Sequence, residues 1–495
     1  FVIIFLSIFF LKFLLSLTCK FHILKFATNS NKYLISTLYK KYLSVRYLEF
    51  INLNSSKLIK NLSHEVYQFS SGLISFLELF SEIVVFLGLF IFLLIFNFKI
   101  TILAFLFFVT IILLINFFTQ NKLVSLGEKV RLAEGERLTN YSESFSLIKE
   151  IKIQNLKKYF LKKNLIHTNA FWDNDFISKF IRTASKPFLE FIVVVVVLVF
   201  ILISSEKYNN IYLVELIAVY LAVAYRVIPS LYRMLSVYQN LKATYPATNN
   251  LTNELKISED TTNILGEKIS KIEKKIETKN LTFKYPRSKN EILKNLNLKF
   301  EVNKVTGIKG ETGSGKTTLI NILSGLVQPT SGEILIDEKN FTKLNLSTYQ
   351  NLIGYVSQDI FLLDNTVKEN IILSDENFLN QHFEKIIKVC ELDKFFKNQS
   401  SKFDINIGDK NIKISGGQAQ RIGIARALYK NPSILILDEA TNALDINTSS
   451  IILKNIKNKF KNLTVILISH DETVLKYCDK IYDLDHENKN KSDTL

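Results

Sequence analysis

Cysteine is scarce in this chain: three among 495 residues, Cys19, Cys390 and Cys478, far apart and without a CxxC pair or a Cys/His cluster. That excludes a disulfide framework and a zinc site of the usual spacings, and it fits a reducing cytosolic face. The first apolar run is not expected to be a secretory leader. Phe1 to Leu17 is apolar apart from Lys12 and two serines, but it has neither a basic start nor a small-residue cleavage site. Acidic residues are in deficit, 46 against 62 Lys and Arg, for a net charge of +16. The basic excess lies in segments flanking apolar runs, where the positive-inside bias explains it and no nucleic acid partner is needed. The heavy use of Asn, Ile, Lys and Phe reads as coding bias and carries no function.

The apolar content is concentrated in long runs. They lie at about 1–17, 73–96, 100–118, 188–203 and 211–228. Each is near the roughly 20 residues a helix needs to cross about 30 Å of hydrocarbon, so five membrane spans are expected. Two connectors are long and polar, about 19–70 and 119–186, and the first holds eight Lys and Arg, whereas the short ones hold Lys99 and Lys207 alone. The long connectors, and everything after the fifth span, are therefore expected in the cytoplasm. Ser71, Ser75, Glu78 and Glu82 recur at helical spacing, which suits either a solvated interfacial face or the lining of a pathway. Arg226 and Arg233 fall on one face of the last span, either snorkelling towards headgroups or, for Arg226, holding an anionic substrate group. The polar stretch 242–275 reads as a linker between a transmembrane domain, 1–241, and the remainder of the chain.

Gly310 to Thr318, GETGSGKTT, fills the phosphate-loop pattern. It follows the strand-like Val305 to Ile308 and opens onto the helix-like Leu319 to Leu326. Gly310, Gly313 and Gly315 allow the backbone of Glu311, Thr312 and Ser314 to curl so that successive N–H groups face phosphate oxygens at a helix start. Lys316 reaches the β and γ phosphates, Thr317 takes a place on Mg²⁺, and Thr318 continues the helix. Around the loop, strand-like runs at 279–284, 296–302, 332–336, 353–356, 434–437 and 465–468 alternate with helical ones, which predicts an α/β domain with a mainly parallel sheet. The run 434–437 ends in Asp438 and Glu439. Beside a phosphate loop, these suit a Mg²⁺ ligand and a base for water, respectively.

Ile414-Ser415-Gly416-Gly417-Gln418 stands shortly before Asp438 and resembles the signature of ABC ATPases. Further motifs of that family come in order: Tyr285 as the aromatic that stacks on adenine, Gln358 of the Q-loop, Ala443-Leu444-Asp445 of the D-loop and His470 of the switch. The resemblance covers 276–485, with 486–495 left as a polar tail. It departs from the family at Ile414, Asp409 and Asp471, the last standing where a basic residue is frequent.

The resemblance implies ATP and Mg²⁺ as cofactors. Glu439, His470 and Gln358 would be catalytic, and Thr317, Gln358 and Asp438 would lie at the metal. Ser415, Gly416, Gly417 and Gln418 would close over the nucleotide held by a second copy. Spans fused ahead of one ATPase domain look like an ABC exporter half-transporter, an α-helical transmembrane domain followed by an α/β phosphate-loop ATPase domain. Such halves have six spans, so the first is expected to be missing, in line with a start on Phe1. The expected partners are a second half-transporter in a homodimer, membrane lipid and an amphipathic or lipid-linked substrate, in a bacterial plasma membrane. Residues 47–66 and 226–246 look similar to flippases of lipid-linked oligosaccharides. The alternatives are an exporter of peptide, protein or drug, or a membrane-anchored regulatory ATPase without transport.

Overall fold

In the computed structural model, the described residues are all except 1, 97, 206–209, 258–265, 287, 374–377, 396–402, 408–413 and 490–495. Of the side chains, those at 96, 99–100, 103–104, 107–108, 112, 193 and 196–228 are not described either. The chain divides into two compact units, Phe1–Asp260 and Thr261–Leu495.

The first unit is helical. Its elements are α1 (Val2–Leu43), α2 (Tyr47–Phe50), α3 (Ser55–Lys60), a π-helical turn (Asn61–Glu65), α4 (Val66–Phe96), α5 (Phe98–Ser146), α6 (Ile148–Ile153), α7 (Lys157–Ser205) and α8 (Asn210–Glu254). Among the described residues, three stretches are long and apolar enough to cross a membrane: Val2–Leu43, Ser55–Ile95 and Val109–Ser146. The expected spans at 188–203 and 211–228 fall on helical backbone of α7 and α8, mostly among side chains outside the described set. Arg226 lies there as well.

Three of the four residues on the polar face of α4, Ser71, Ser75 and Glu82, pack on α8. Asn240 donates from Nδ2 to Ser71 Oγ and Ser75 Oγ, at 3.1 and 2.8 Å. Glu82 accepts from Ser230 Oγ at 2.8 Å and pairs with Arg233 Nε at 2.6 Å. Helices in lipid gain nothing from apolar contact with one another, so small and polar residues supply the specific contacts. Glu78 is exposed and takes no part in this seam.

The expected linker needs correcting at its start. Residues 242–254 continue α8 and bury Ala247 and Leu251. They show little apolar periodicity because polar bonds hold much of this stretch. Asn250 Nδ2 donates to Asn61 Oδ1 at 3.1 Å, Tyr42 Oη donates to Glu254 Oε2 at 3.0 Å, and Lys41 Nζ caps the carbonyls of Leu255 and Ile257.

The second unit contains β1 (Lys275–Phe283), β2 (Leu293–Leu296), β3 (Lys299–Glu301), β4 (Val305–Lys309), α9 (Lys316–Leu323), β5 (Ser331–Ile336), β6 (Lys339–Asn340), α10 (Leu346–Asn351), β7 (Ile353–Val356), β8 (Asn365–Thr366), α11 (Val367–Ile372), α12 (Asn380–Val389), β9 (Asn406–Ile407), α13 (Gly416–Tyr429), β10 (Ile434–Asp438), α14 (Ile446–Lys459), β11 (Thr464–Ile468), α15 (Glu472–Leu475), β12 (Lys480–Asp483) and α16 (Leu484–Lys489). One sheet, in the order β12-β4-β11-β10-β7, is wholly parallel. A second, with β2-β1-β5-β6 along its path and β3 on β1, is antiparallel, so the expected runs 279–284, 296–302 and 332–336 leave the parallel sheet. Part of the cause is a tight hairpin at Asp337-Glu338, both with positive φ, which returns the chain directly beside β5. Of the expected polar tail, 486–489 form part of α16, and 490–495 lie outside the described residues.

Helices α5 and α8 approach closely at Gly127, where a Cβ would stand 2.3 Å from the carbonyl oxygen of Ala243. Gly127→Ala should therefore cost about 1–3 kcal/mol by overpacking. Thermal unfolding of the detergent-solubilised protein checks this; an unchanged midpoint would mean the helices do not meet there.

Candidate nucleotide site

The phosphate loop leaves β4 and closes at the start of α9. Gly315 is the helix N-cap with φ of 98°, a left-handed conformation that side chains resist. A Cβ there would also meet Leu293 Cδ2 at 2.6 Å. Among the described residues no side chain caps α9, so its first N–H groups are open to an anion, with the positive end of the helix dipole behind them. Gly313 has φ of 91° and open space where a Cβ would point. Ser314 Oγ is buried and has no hydrogen-bond partner among the described residues. Lys316 Nζ donates to the carbonyls of Gly310 and Glu311, at 2.6 and 2.9 Å, so the ammonium lies folded over the loop. Glu311, Thr312 and Thr317 are exposed and Thr318 is buried. Tyr285 is half-buried, its hydroxyl 3.4 Å from Thr318 Oγ1 and its ring edge-on to Phe283.

β10 carries its carboxylates to the same edge of the sheet. Asp438 is buried, accepts a bond from Tyr355 Oη at 3.2 Å, and has its carboxyl pushed up, chiefly by burial, with Lys316 opposing the shift. Glu439, just past the strand, has φ of 51°. Its Oε2 accepts from Gln358 Nε2 and from Asn442 Nδ2, both at 2.9 Å, and its Oε1 lies 3.3 Å from His470 Nε2. Three nitrogen-bearing side chains from three loops thus converge on one carboxylate. Such an arrangement fixes the direction of its lone pairs, which a base for water requires.

The structure does not bring the signature residues to this cluster. Ser415 caps α13, accepting at Oγ from the N–H of Gln418 at 3.3 Å, while Gln418 Oε1 accepts from the N–H of Ser415 at 2.9 Å, a capping box. Gly416 and Gly417 lie against Ala443, and Gln420 Oε1 accepts from the Ala443 N–H at 2.9 Å, joining the signature helix to the D-loop. Asp445 caps α14 through Thr448, whose N–H holds the Asp445 carboxyl below its usual range. Asp471, the departure from the family beside His470, caps α15 through Thr473. Asp409 lies outside the described residues.

Sequence reasoning missed Tyr355, Asn442 and Gln420. Asn442 had a legible signal, standing three residues after Glu439 at the end of a buried strand. Tyr355 and Gln420 had none, because their roles depend on neighbours distant in sequence.

With this geometry established, comparison with known proteins gives the class. Residues 1–224 match the model of the ABC transporter transmembrane region, and residues 293–442 match that of the ABC transporter. The chain belongs to the ABC transporters, and its fold is that of an exporter subunit: a multi-pass helical transmembrane domain followed by an α/β ATPase domain. More particularly, the chain is 37% identical over 207 residues to proteins of Staphylococcus aureus strains bovine RF122 / ET3-1 and NCTC 8325 / PS 47 that carry the name putative multidrug export ATP-binding/permease protein. The match takes in 42% of this chain and spans 36% of the length of those relatives. The structure of a bacterial Atm1-family ABC exporter with ATP bound superposes with a TM-score of 0.83 at 20% identity, covering 93% of this chain and 81% of that one. At that identity the likeness speaks for the fold.

Because its hydroxyl serves as a helix cap, Ser415→Ala should cost about 1 kcal/mol of stability. Thermal unfolding without nucleotide measures it, and a midpoint equal to the parent's would remove the capping role.

Proposed function

We propose that this chain is one half of an ATP-driven membrane exporter, working as a homodimer whose ATPase domains lie in the cytoplasm. The observation that carries this reading is the convergence of Gln358, Asn442 and His470 on Glu439, beside the buried Asp438 and the phosphate loop. Tyr285 stacks on adenine, and the N–H groups of Gly313 to Thr318 with Lys316 take the phosphates. The orphaned Ser314 hydroxyl and the uncapped start of α9 fit an anion there. A carboxylate buried at the sheet edge, its charged form disfavoured by that burial, fits a divalent cation, so Asp438, Thr317 and Gln358 are the residues to hold Mg²⁺. Bound there, the ion supplies charge neutralisation for the transferred phosphoryl group.

Glu439 then polarises the attacking water, and His470 contacts the γ phosphate and keeps the carboxylate oriented. Ser415, Gly416, Gly417 and Gln418 of the second copy complete the site, offering glycine N–H groups and a helix start to the γ phosphate. ATP favours the closed dimer through its higher affinity for that state, and this difference turns the membrane cavity outwards. Every catalytic position carries the residue type it needs, so both sites of a homodimer hydrolyse.

For the cargo, the names of the Staphylococcus aureus relatives favour amphipathic drug-like molecules. A lipid-linked oligosaccharide rests only on the likeness of residues 47–66 and 226–246 to flippases. ATPase activity of the protein in lipid nanodiscs, with a cationic amphipathic drug or with a polyprenyl-diphosphate oligosaccharide, separates them by which one stimulates. Glu439→Gln should lower turnover about a hundredfold or more while ATP binding persists. Near-normal turnover in that variant would refute the assignment.

A further inference from the structure

Resting on the nucleotide-site reading above, we propose that Asp485 and Asn488 are positioning residues of the phosphate loop, holding its curl from outside. The edge strand β12 pairs with β4 and stands level with it at Asp483 and Lys309, so the chain turns into α16 alongside the loop. There Asp485 Oδ2 accepts from the Glu311 N–H at 2.6 Å, and lies 3.3 Å from where a Cβ on Gly310 would stand. Asn488 Nδ2 donates to the Ser314 carbonyl at 3.2 Å, while its Oδ1 accepts from the Lys294 N–H at 3.1 Å and ties the same side chain to β2. The loop is thus gripped at two points three residues apart, with Lys316 bonded to the carbonyls of Gly310 and Glu311.

The need for such a grip arises from the loop's composition. Glycine loses the most conformational freedom on ordering, and the loop holds Gly310, Gly313 and Gly315. Its own backbone contributes one bond across the turn, from the Ser314 N–H to the Glu311 carbonyl at 3.2 Å. A loop ordered in advance spares the ligand that entropic cost, and the benefit appears as affinity rather than as turnover. Asp485 brings a carboxylate close to the phosphate site, so its contribution is the geometry of its acceptor and not its charge. Asn at that position keeps an acceptor oxygen, whereas Ala does not.

The test uses the full-length protein in nanodiscs with Mg-ATP and a non-hydrolysed ATP analogue. D485A should raise KM and the analogue's Kd about tenfold, the effect of one lost hydrogen bond, with kcat changed less than twofold. D485N should restore affinity to within twofold of the parent. Amide exchange at Glu311, measured without nucleotide, should be at least about tenfold slower than at Thr312 in the parent and should lose that protection in D485A. An affinity in folded D485A within twofold of the parent, or no rescue by D485N, would overturn the proposal. Should D485A fail to fold, the parent's own exchange decides, since a Glu311 amide as fast as that of Thr312 contradicts the grip. A parent protein that binds no ATP would instead sink the nucleotide reading, and the exchange measurement would still judge the grip.

Discussion

Ile308, Ile468 and Asp438 stand level across three neighbouring parallel strands, and Val356 pairs with Leu437 on the fourth. The site depends on that register. In a parallel sheet every strand ends at the same edge, so residues one or two positions past the ladder meet there whatever their separation in sequence. Gly310, Gln358, Glu439 and His470 are each one or two residues beyond their paired strand residue. A one-residue slip of β10 would exchange the two faces of the strand and remove Glu439 from its three neighbours. Burial on both faces guards the register: Ile434, Leu435, Ile436 and Leu437 are all at most 1% exposed, with Ile466, Leu467 and Ile468 equally sealed beside them.

This is also why much of the site is legible in the sequence. Uninterrupted apolar runs of four or five residues mark strands buried on both faces, and the polar residue just past such a run must lie at the sheet edge. Asp438, Glu439 and His470 obey that rule, and the glycine spacing of the phosphate loop marks the remaining corner. What stays hidden is whatever depends on pairing between strands. The antiparallel layer reads as part of the parallel one, because a run such as 332–336 looks the same in either sheet and only the hairpin at Asp337-Glu338 decides. Residues 486–489 read as a polar tail because the bonds that Asn488 makes go to the backbone of Lys294 and Ser314, about 170 to 190 positions earlier in the chain.

The membrane unit teaches the same lesson from the other side. Hydropathy locates spans but cannot say what their polar residues touch. Ser71, Ser75 and Glu82 are ambiguous from spacing alone, and their partners Asn240, Ser230 and Arg233 lie about 150 to 170 positions away on α8. The same kind of bonding runs past the apolar part of α8 to Asn250 and Glu254, which is why a stretch composed like a linker is held as helix. One polar seam thus binds α8 to α4 and to the end of α1, giving this last helix of the first unit a fixed place within it.

The central proposal is that each ATPase domain supplies half of two nucleotide sites; in its support, Ser415 and Gln418 bond to each other rather than to the phosphate loop of their own chain. Cross-linking tests it most directly. In a Cys19→Ser, Glu439→Gln background, cysteines placed at the exposed Thr312 and at Ser415 should form an intermolecular disulfide in the presence of ATP and little without it. A product the mass of one chain, or no ATP dependence, would contradict the account.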